Sequence, residues 1–374
     1  MKKVVVAMDS FKGTMSSPQV CNIIEAGFKS VYPDLMVKKV PIADGGEGTV
    51  DTFLDVLGGE KIQLKVTGPS FKRVKAYYGI LSDKETAVIE MAAASGLSLV
   101  KGSSSPLYTT TYGTGELMLD ALDRGCKRLI IGLGGSATTD GGVGMAAALG
   151  IRFLDRNGDS IPLHGGGLRH LFSIDLEGKD SRIDQCEILA ACDVTNPLYG
   201  KNGTAHVYAP QKGADLKTVL QLDSNLIHYG QILEKMLGIK VQTLLGAGAA
   251  GGLGAGLAAF TSATLKPGIE IILNSVDFNS LISDADLVIT GEGKLDAQSL
   301  YGKVPIGVLR RAKIQSVPVV AIVGTVGEGI EKIQECGFKA IFATNQLELT
   351  LDELRERAQD DLFATARDVA LYYL

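Results

Sequence analysis

Short runs of β-branched and apolar residues recur along the chain: VVVAM at 4–8, VKKVPIA at 37–43, RLIIGL at 128–133, EILAAC at 187–192, ADLVIT at 285–290, VPVVAIV at 317–323 and KAIFAT at 339–344. Most are followed by Gly, Ser or Asp and then by a helical pattern. A strand buried on both faces reads as a continuous apolar run, so this series predicts parallel strands with helices on both sides. One stretch departs from it. KIQLKVTGPSFKRVKAYYGILSDKETAVIEM at 61–91 alternates and carries turn signals, which predicts an antiparallel meander. At 374 residues the chain exceeds the size at which one core usually stops growing. The expected fold class is therefore α/β with two α/β domains, one doubly wound and Rossmann-like, the other an inserted domain with a mixed sheet. Both chain ends read as pieces of one doubly wound unit. Residues 1–68 plus 283–374 are expected to form that discontinuous domain, with 69–282 inserted as the second.

Charge and cysteine usage exclude several function classes. The net charge is −5 and no Lys/Arg block of five or more occurs, so a nucleic-acid partner is not expected. The five cysteines are odd in number, scattered and never spaced as CxxC, which fits neither a disulfide framework nor a zinc site and points to the cytoplasm. The apolar run of MKKVVVAMDSFKG is too short for a signal-peptide core. The longest weakly polar stretch, 244–260, falls short of the ~20 residues that span a bilayer, so no membrane partner is expected.

The densest local signal is IIGLGGSATTDGGVGMAAALG at 130–150, an apolar strand, a glycine-rich loop and an alanine-rich helix. Glycine costs roughly 0.5–1 kcal/mol against alanine inside a regular element, so such density is tolerable where the backbone turns sharply or approaches something closely. A phosphate at a helix N-terminus is one such partner. Asp-Gly-Gly-x-Gly occurs twice, with Asp44 and Asp140 where a helix cap would stand. A third glycine-rich segment lies at 246–256 and a further polar loop at 290–304.

No GxxxxGK[ST], GxSxG or HExxH occurs, so a P-loop, a nucleophile elbow and a zincin site are excluded at the level of motif. Gly132-x-Gly134-x-x-Ala137 with Asp155 beyond it satisfies a weak dinucleotide pattern, so an NAD-dependent oxidoreductase acting on a small hydroxy acid stands as the alternative. The remaining inventory of loop Asp, Ser, Thr, Asn and Lys suits phosphoryl transfer, whose catalysis is mostly positioning, carboxylate-held Mg²⁺ and cationic stabilisation.

AMDSFKGTMS, IADGGEGT, GLGGSATTDGGVGMAAALG, ACDVTNPLYG, GAGAAGGLGAGL and ITGEGKLDAQSLYGKVP occur in order over essentially the whole chain, which resembles the bacterial type-1 glycerate kinase family. The resemblance implies ATP-dependent phosphorylation of glycerate, generally to the 2-phosphate, in two α/β domains with the active site in the cleft between them. ATP and Mg²⁺ are the implied cofactors and glycerate and ATP the small-molecule partners; self-association stays open.

Residue roles follow from chemistry. Lys12 and Lys294 are candidate cations, and Asp193 and Asp296 candidate bases, Asp193 also a candidate Mg²⁺ ligand. Candidate substrate or phosphate contacts are Asp9, Ser10, Asp44, Gly45, Gly46, Glu47, Gly134, Gly135, Ser136, Thr138, Thr139, Asp140, Asn196, Gly248, Gly251 and Glu292. For the aspartates, helix capping or a plain turn is the competing role.

Overall fold

The computed structural model describes residues 3–42, 48–100, 105–301, 303–345 and 350–374. Asp44, Gly45, Gly46 and Glu47 lie outside the described residues. The chain is α/β and divides into two compact units, Met1–Asp44 with Ile269–Leu374, and Gly45–Gly268.

The first unit holds a five-stranded, all-parallel sheet in the order Ala340–Ala343, Val319–Val323, Leu287–Gly291, Lys3–Met8, Met36–Pro41. Every run predicted here as a strand is one; the inner strands are apolar enough to be buried on both faces, with Val4, Val5, Val6, Ala7 and Met8 all fully buried, whereas the edge strand Met36–Pro41 keeps Met36, Lys38 and Lys39 exposed. The helix Ser17–Val31 crosses from the first strand to its edge neighbour. It begins at a capping box in which Gln19 Oε1 accepts from the Ser16 N–H at 2.9 Å, and it buries Val20, Ile24 and Phe28 at four-residue spacing. The C-terminal helix Leu351–Tyr373 supplies Leu362, Ala366 and Val369 to the same core. Chain order reverses between Lys3–Met8 and Leu287–Gly291. In open α/β sheets a crevice forms outside the carboxyl ends of the strands at such a reversal.

The second unit carries a six-stranded mixed sheet in the order Thr264–Lys266, Glu187–Ala191, Arg128–Gly132, Thr86–Glu90, Arg73–Leu81, Gly59–Thr67. The first four strands are parallel, and the last two form the expected antiparallel meander. Two boundaries differ from the sequence expectation. Gly59–Thr67 pairs along its whole length with Arg73–Leu81, so 45–68 goes with the second unit. Residues 269–282 go with the first, where Ile269 packs on Gly307 of the helix Val304–Ile314.

The glycine-rich segment at 246–256, expected as a loop, runs into the helix Ala249–Thr261, which is interrupted by left-handed backbone at Ala250, Gly251 and Gly252. The cause is close approach. A Cβ on Gly251 would sit 1.9 Å from the Thr138 carbonyl oxygen, and one on Gly256 2.5 Å from that of Gly141. The two glycine clusters thus face each other backbone to backbone.

Candidate active site

In the first unit the loops after Lys3–Met8 and Leu287–Gly291 flank the reversal point. The Asp9 N–H donates to the Gly291 carbonyl at 2.9 Å, and the Asp9 carboxylate accepts from the Ser10 N–H at 2.6 Å. Asp9 and Ser10 are half-buried and Lys12 is exposed. The second loop touches the first: a Cβ on Gly293 would lie 3.2 Å from the Lys12 backbone nitrogen. Glu292 is buried, its Oε1 accepting from the Ser299 hydroxyl at 2.5 Å and its Oε2 3.6 Å from Lys303 Nζ. Burial pushes its carboxyl up from the ordinary value, against the pull of Ser299 and Lys303. Lys294 is not in a loop but in a two-residue strand paired with Thr325–Val326. Its Nζ lies 3.8 Å from Asp296 Oδ2, and their side chains are 64% and 20% exposed. Asp296 opens the 3₁₀ turn Ala297–Tyr301, its N–H donating to Ser299 Oγ at 3.3 Å. Ser299 and Lys303, absent from the sequence-derived set, complete this cluster.

In the second unit Glu90, Gly132, Ala191 and Lys266 stand in one row at the carboxyl edge of the parallel strands. Leaving from Gly132, the loop 133–142 is clamped by Leu97 N–H on the Gly135 carbonyl at 2.9 Å and by Ala137 N–H on the Ser95 carbonyl at 2.9 Å. Gly134 and Ser136 are half-buried and Gly135 exposed, whereas Thr138, Thr139 and Asp140 are fully buried. Asp140 accepts from the Thr111 N–H and hydroxyl, each at 2.8 Å, and from the N–H groups of Gly142 at 3.1 Å and Gly144 at 3.3 Å. It therefore ties the 109–112 segment to the start of the helix Val143–Ala148. Burial pushes its carboxyl up, and these donors oppose the shift.

Among the other candidates, Asn196 is spent on its own loop, donating to the Asn202 carbonyl at 2.8 Å and accepting from the Tyr208 hydroxyl at 2.6 Å. Gly248 and Gly251 are buried against the carbonyls of Pro197 and Thr138, so their missing side chains serve internal packing. Asp193 is exposed beyond the strand Glu187–Ala191, its Oδ1 accepting from the Gly268 N–H at 2.9 Å. No three of His, Cys, Asp and Glu cluster as a metal site among the described residues. The dinucleotide alternative meets a contrary geometry. Asp155 follows Arg152–Leu154, which pairs antiparallel with Ser173–Asp175 outside the main sheet, and it accepts from the N–H groups of Asn157 and Asp159 in a turn.

Sequence reasoning missed Lys212. It is 5% exposed, and its Nζ donates to Ser136 Oγ at 2.8 Å and to the Thr138 carbonyl at 2.6 Å. Burial brings its ammonium down from 10.5 to about 7, with Asp140 opposing part of the fall. Between those two values the unfolded chain holds a proton that the folded chain has released, so this group makes stability rise with pH. Below about 7 both states are charged, and the full cost of burying the cation is felt. Lys212→Met lacks that cost. Its unfolding free energy relative to wild type should be most favourable near about pH 6 and decline steadily toward about pH 9, measured by urea denaturation. A difference that stays constant across this range would mean that Lys212 does not titrate there.

A model of the glycerate kinase family matches residues 4–374. The chain belongs to the glycerate kinase family. A glycerate kinase of Halalkalibacterium halodurans is 49% identical over 372 residues, 99% of this chain and 98% of that protein. The glycerate 2-kinase of Escherichia coli is 46% identical over 369 residues, covering 98% and 97%. The crystal structure of a candidate glycerate kinase 2 from Salmonella typhimurium LT2 superposes with a TM-score of 0.89 at 45% identity, covering 99% of this chain and 97% of that one. Membership makes the chain a kinase, a transferase that acts on small molecules. Among its described residues no helix is long and apolar enough to cross a membrane.

Proposed function

We propose that this glycerate kinase family member transfers the γ-phosphoryl group of Mg-ATP to a hydroxyl of D-glycerate, giving 2-phosphoglycerate, in the cytoplasm. The observation that carries the reading is the pair of touching loops at the chain reversal of the first unit, where Asp9, Lys12, Glu292, Lys294 and Asp296 gather in a family whose E. coli relative is a glycerate 2-kinase. Phosphoryl transfer asks little covalent chemistry of the protein and much positioning. Lys12 and Lys294 are exposed cations suited to phosphoryl oxygens, and Asp296 is a carboxylate suited to accept the proton of the attacking hydroxyl. Mg²⁺ characteristically takes one or two carboxylates plus nucleotide phosphates. Asp193, exposed at a strand edge with one oxygen on a backbone N–H, fits that modest demand as the ligand. Bound there, the ion would supply charge neutralisation between the phosphates.

The test is phosphorus NMR of the product formed from D-glycerate and Mg-ATP, with ADP release followed in parallel. The 2-phosphate with stoichiometric ADP is the expected result. The 3-phosphate would overturn the regiochemistry, and absence of glycerate-dependent ADP would overturn the activity.

A further inference from the structure

Lys212 is a buried cation whose described contacts are both neutral, a hydroxyl and a carbonyl. It forms no ion pair among the described residues, and Asp140, the carboxylate that acts on it, is already met by four donors from Thr111, Gly142 and Gly144. Burying an ammonium without a bonded counter-charge is expensive, and an anion held close to it would offset that cost and favour its protonated form. An ammonium has three N–H groups, of which two are engaged here.

Ser136 turns that charge outward. Its oxygen accepts from Lys212, so its own hydroxyl proton is left to donate, and the residue is half-buried on a loop held by Ser95 and Leu97. The backbone N–H groups of Gly134, Gly135 and Ser136 have no acceptor among the described residues. Beside them the fully buried Thr138 hydroxyl also lacks a hydrogen-bond partner among the described residues. Consecutive N–H groups around a left-handed glycine, here Gly135 with φ 72°, form a concavity that suits an anion.

We propose that Ser136 and the 134–136 backbone form an oxyanion subsite, with Lys212 behind Ser136 as its counter-charge, and that its ligand is a carboxylate or phosphoryl group of a substrate. The choice of ligand rests on the kinase reading; the subsite itself rests on the geometry. Two sources share this chemistry, the glycerate carboxylate and the phosphates of ATP.

Isothermal titration of the full chain with D-glycerate, ATP and inorganic phosphate, at fixed ionic strength, separates them. Lys212→Met should weaken phosphate and one of the two substrates by about tenfold or more, while the other substrate stays within about twofold. Loss confined to glycerate assigns the carboxylate, and loss confined to ATP assigns the phosphoryl group. Ser136→Ala, a half-exposed change, should weaken the same ligand several-fold and decides the matter if Lys212→Met fails to fold. Wild-type affinities in both variants would overturn the proposal, as would equal loss of glycerate and ATP. If wild type binds phosphate through Lys212 yet makes no glycerate-dependent ADP, the functional reading falls and the subsite stands.

Discussion

Replacing Asp296 by Asn should lower kcat by roughly 10²–10⁴-fold at saturating Mg-ATP and D-glycerate, with the thermal melt unchanged. Asn keeps the shape of the turn, whose bonds are made by the Asp296 main chain: its N–H donates to Ser299 Oγ at 3.3 Å and its carbonyl accepts from the Ser299 N–H at 2.8 Å. What Asn cannot do is take a proton. Asn gives up the charge that faces Lys294 Nζ at 3.8 Å, but that lysine side chain is 64% exposed and pairs of this kind are worth at most about 1 kcal/mol, so a purely structural role would survive the change. Asp193→Asn is the companion variant, since its oxygen can still accept from the Gly268 N–H while the charge that would attract Mg²⁺ is gone. Retention of more than about a tenth of wild-type kcat by both variants would sink the assignment. Glu292, buried and bonded to Ser299, and Asp9 would then be the carboxylates to examine.

The strands were legible because a strand buried on both faces has little choice of composition. Runs such as VVVAM and VPVVAIV announce themselves without any knowledge of their neighbours. The unit boundary was less legible, since Gly59–Thr67 belongs where it does through pairing with Arg73–Leu81, a fact of tertiary register that its own residues do not carry. Glycine misled in part. Its clusters at 132–144 and 246–256 each read as a ligand loop, but Gly251 and Gly256 are small so that two backbone segments can meet. A close approach looks the same in sequence whether the other party is a phosphate or a carbonyl. Lys212 carried no signal at all. Within APQKGAD, between a proline and a glycine, it reads as an ordinary surface turn, and only the fold buries it.

Asp140→Ala should reduce stability by about 3–5 kcal/mol, far beyond the typical substitution. The carboxylate is fully buried and receives four donors: the N–H and hydroxyl of Thr111 and the N–H groups of Gly142 and Gly144. Truncation leaves these donors without an acceptor in the interior, where each lost partner costs about 1–3 kcal/mol unless water enters. It also removes a carboxylate that favours the charged form of Lys212. Thr111→Val is the informative comparison. That change deletes a hydroxyl that donates to Asp140 and accepts from the Met145 N–H at 2.9 Å, yet it spares the backbone bonds, so its cost should be smaller, about 1–2 kcal/mol. Because both variants act on one network, the double variant should cost clearly less than the sum of the two. Urea denaturation of the four proteins supplies every term. A loss below about 1 kcal/mol for Asp140→Ala, or strict additivity, would show that the carboxylate does not hold the 109–112 segment to the helix Val143–Ala148. The glycine-rich loop would then owe its shape to the backbone packing of Gly141 and Gly142 against Gly252 and Gly256.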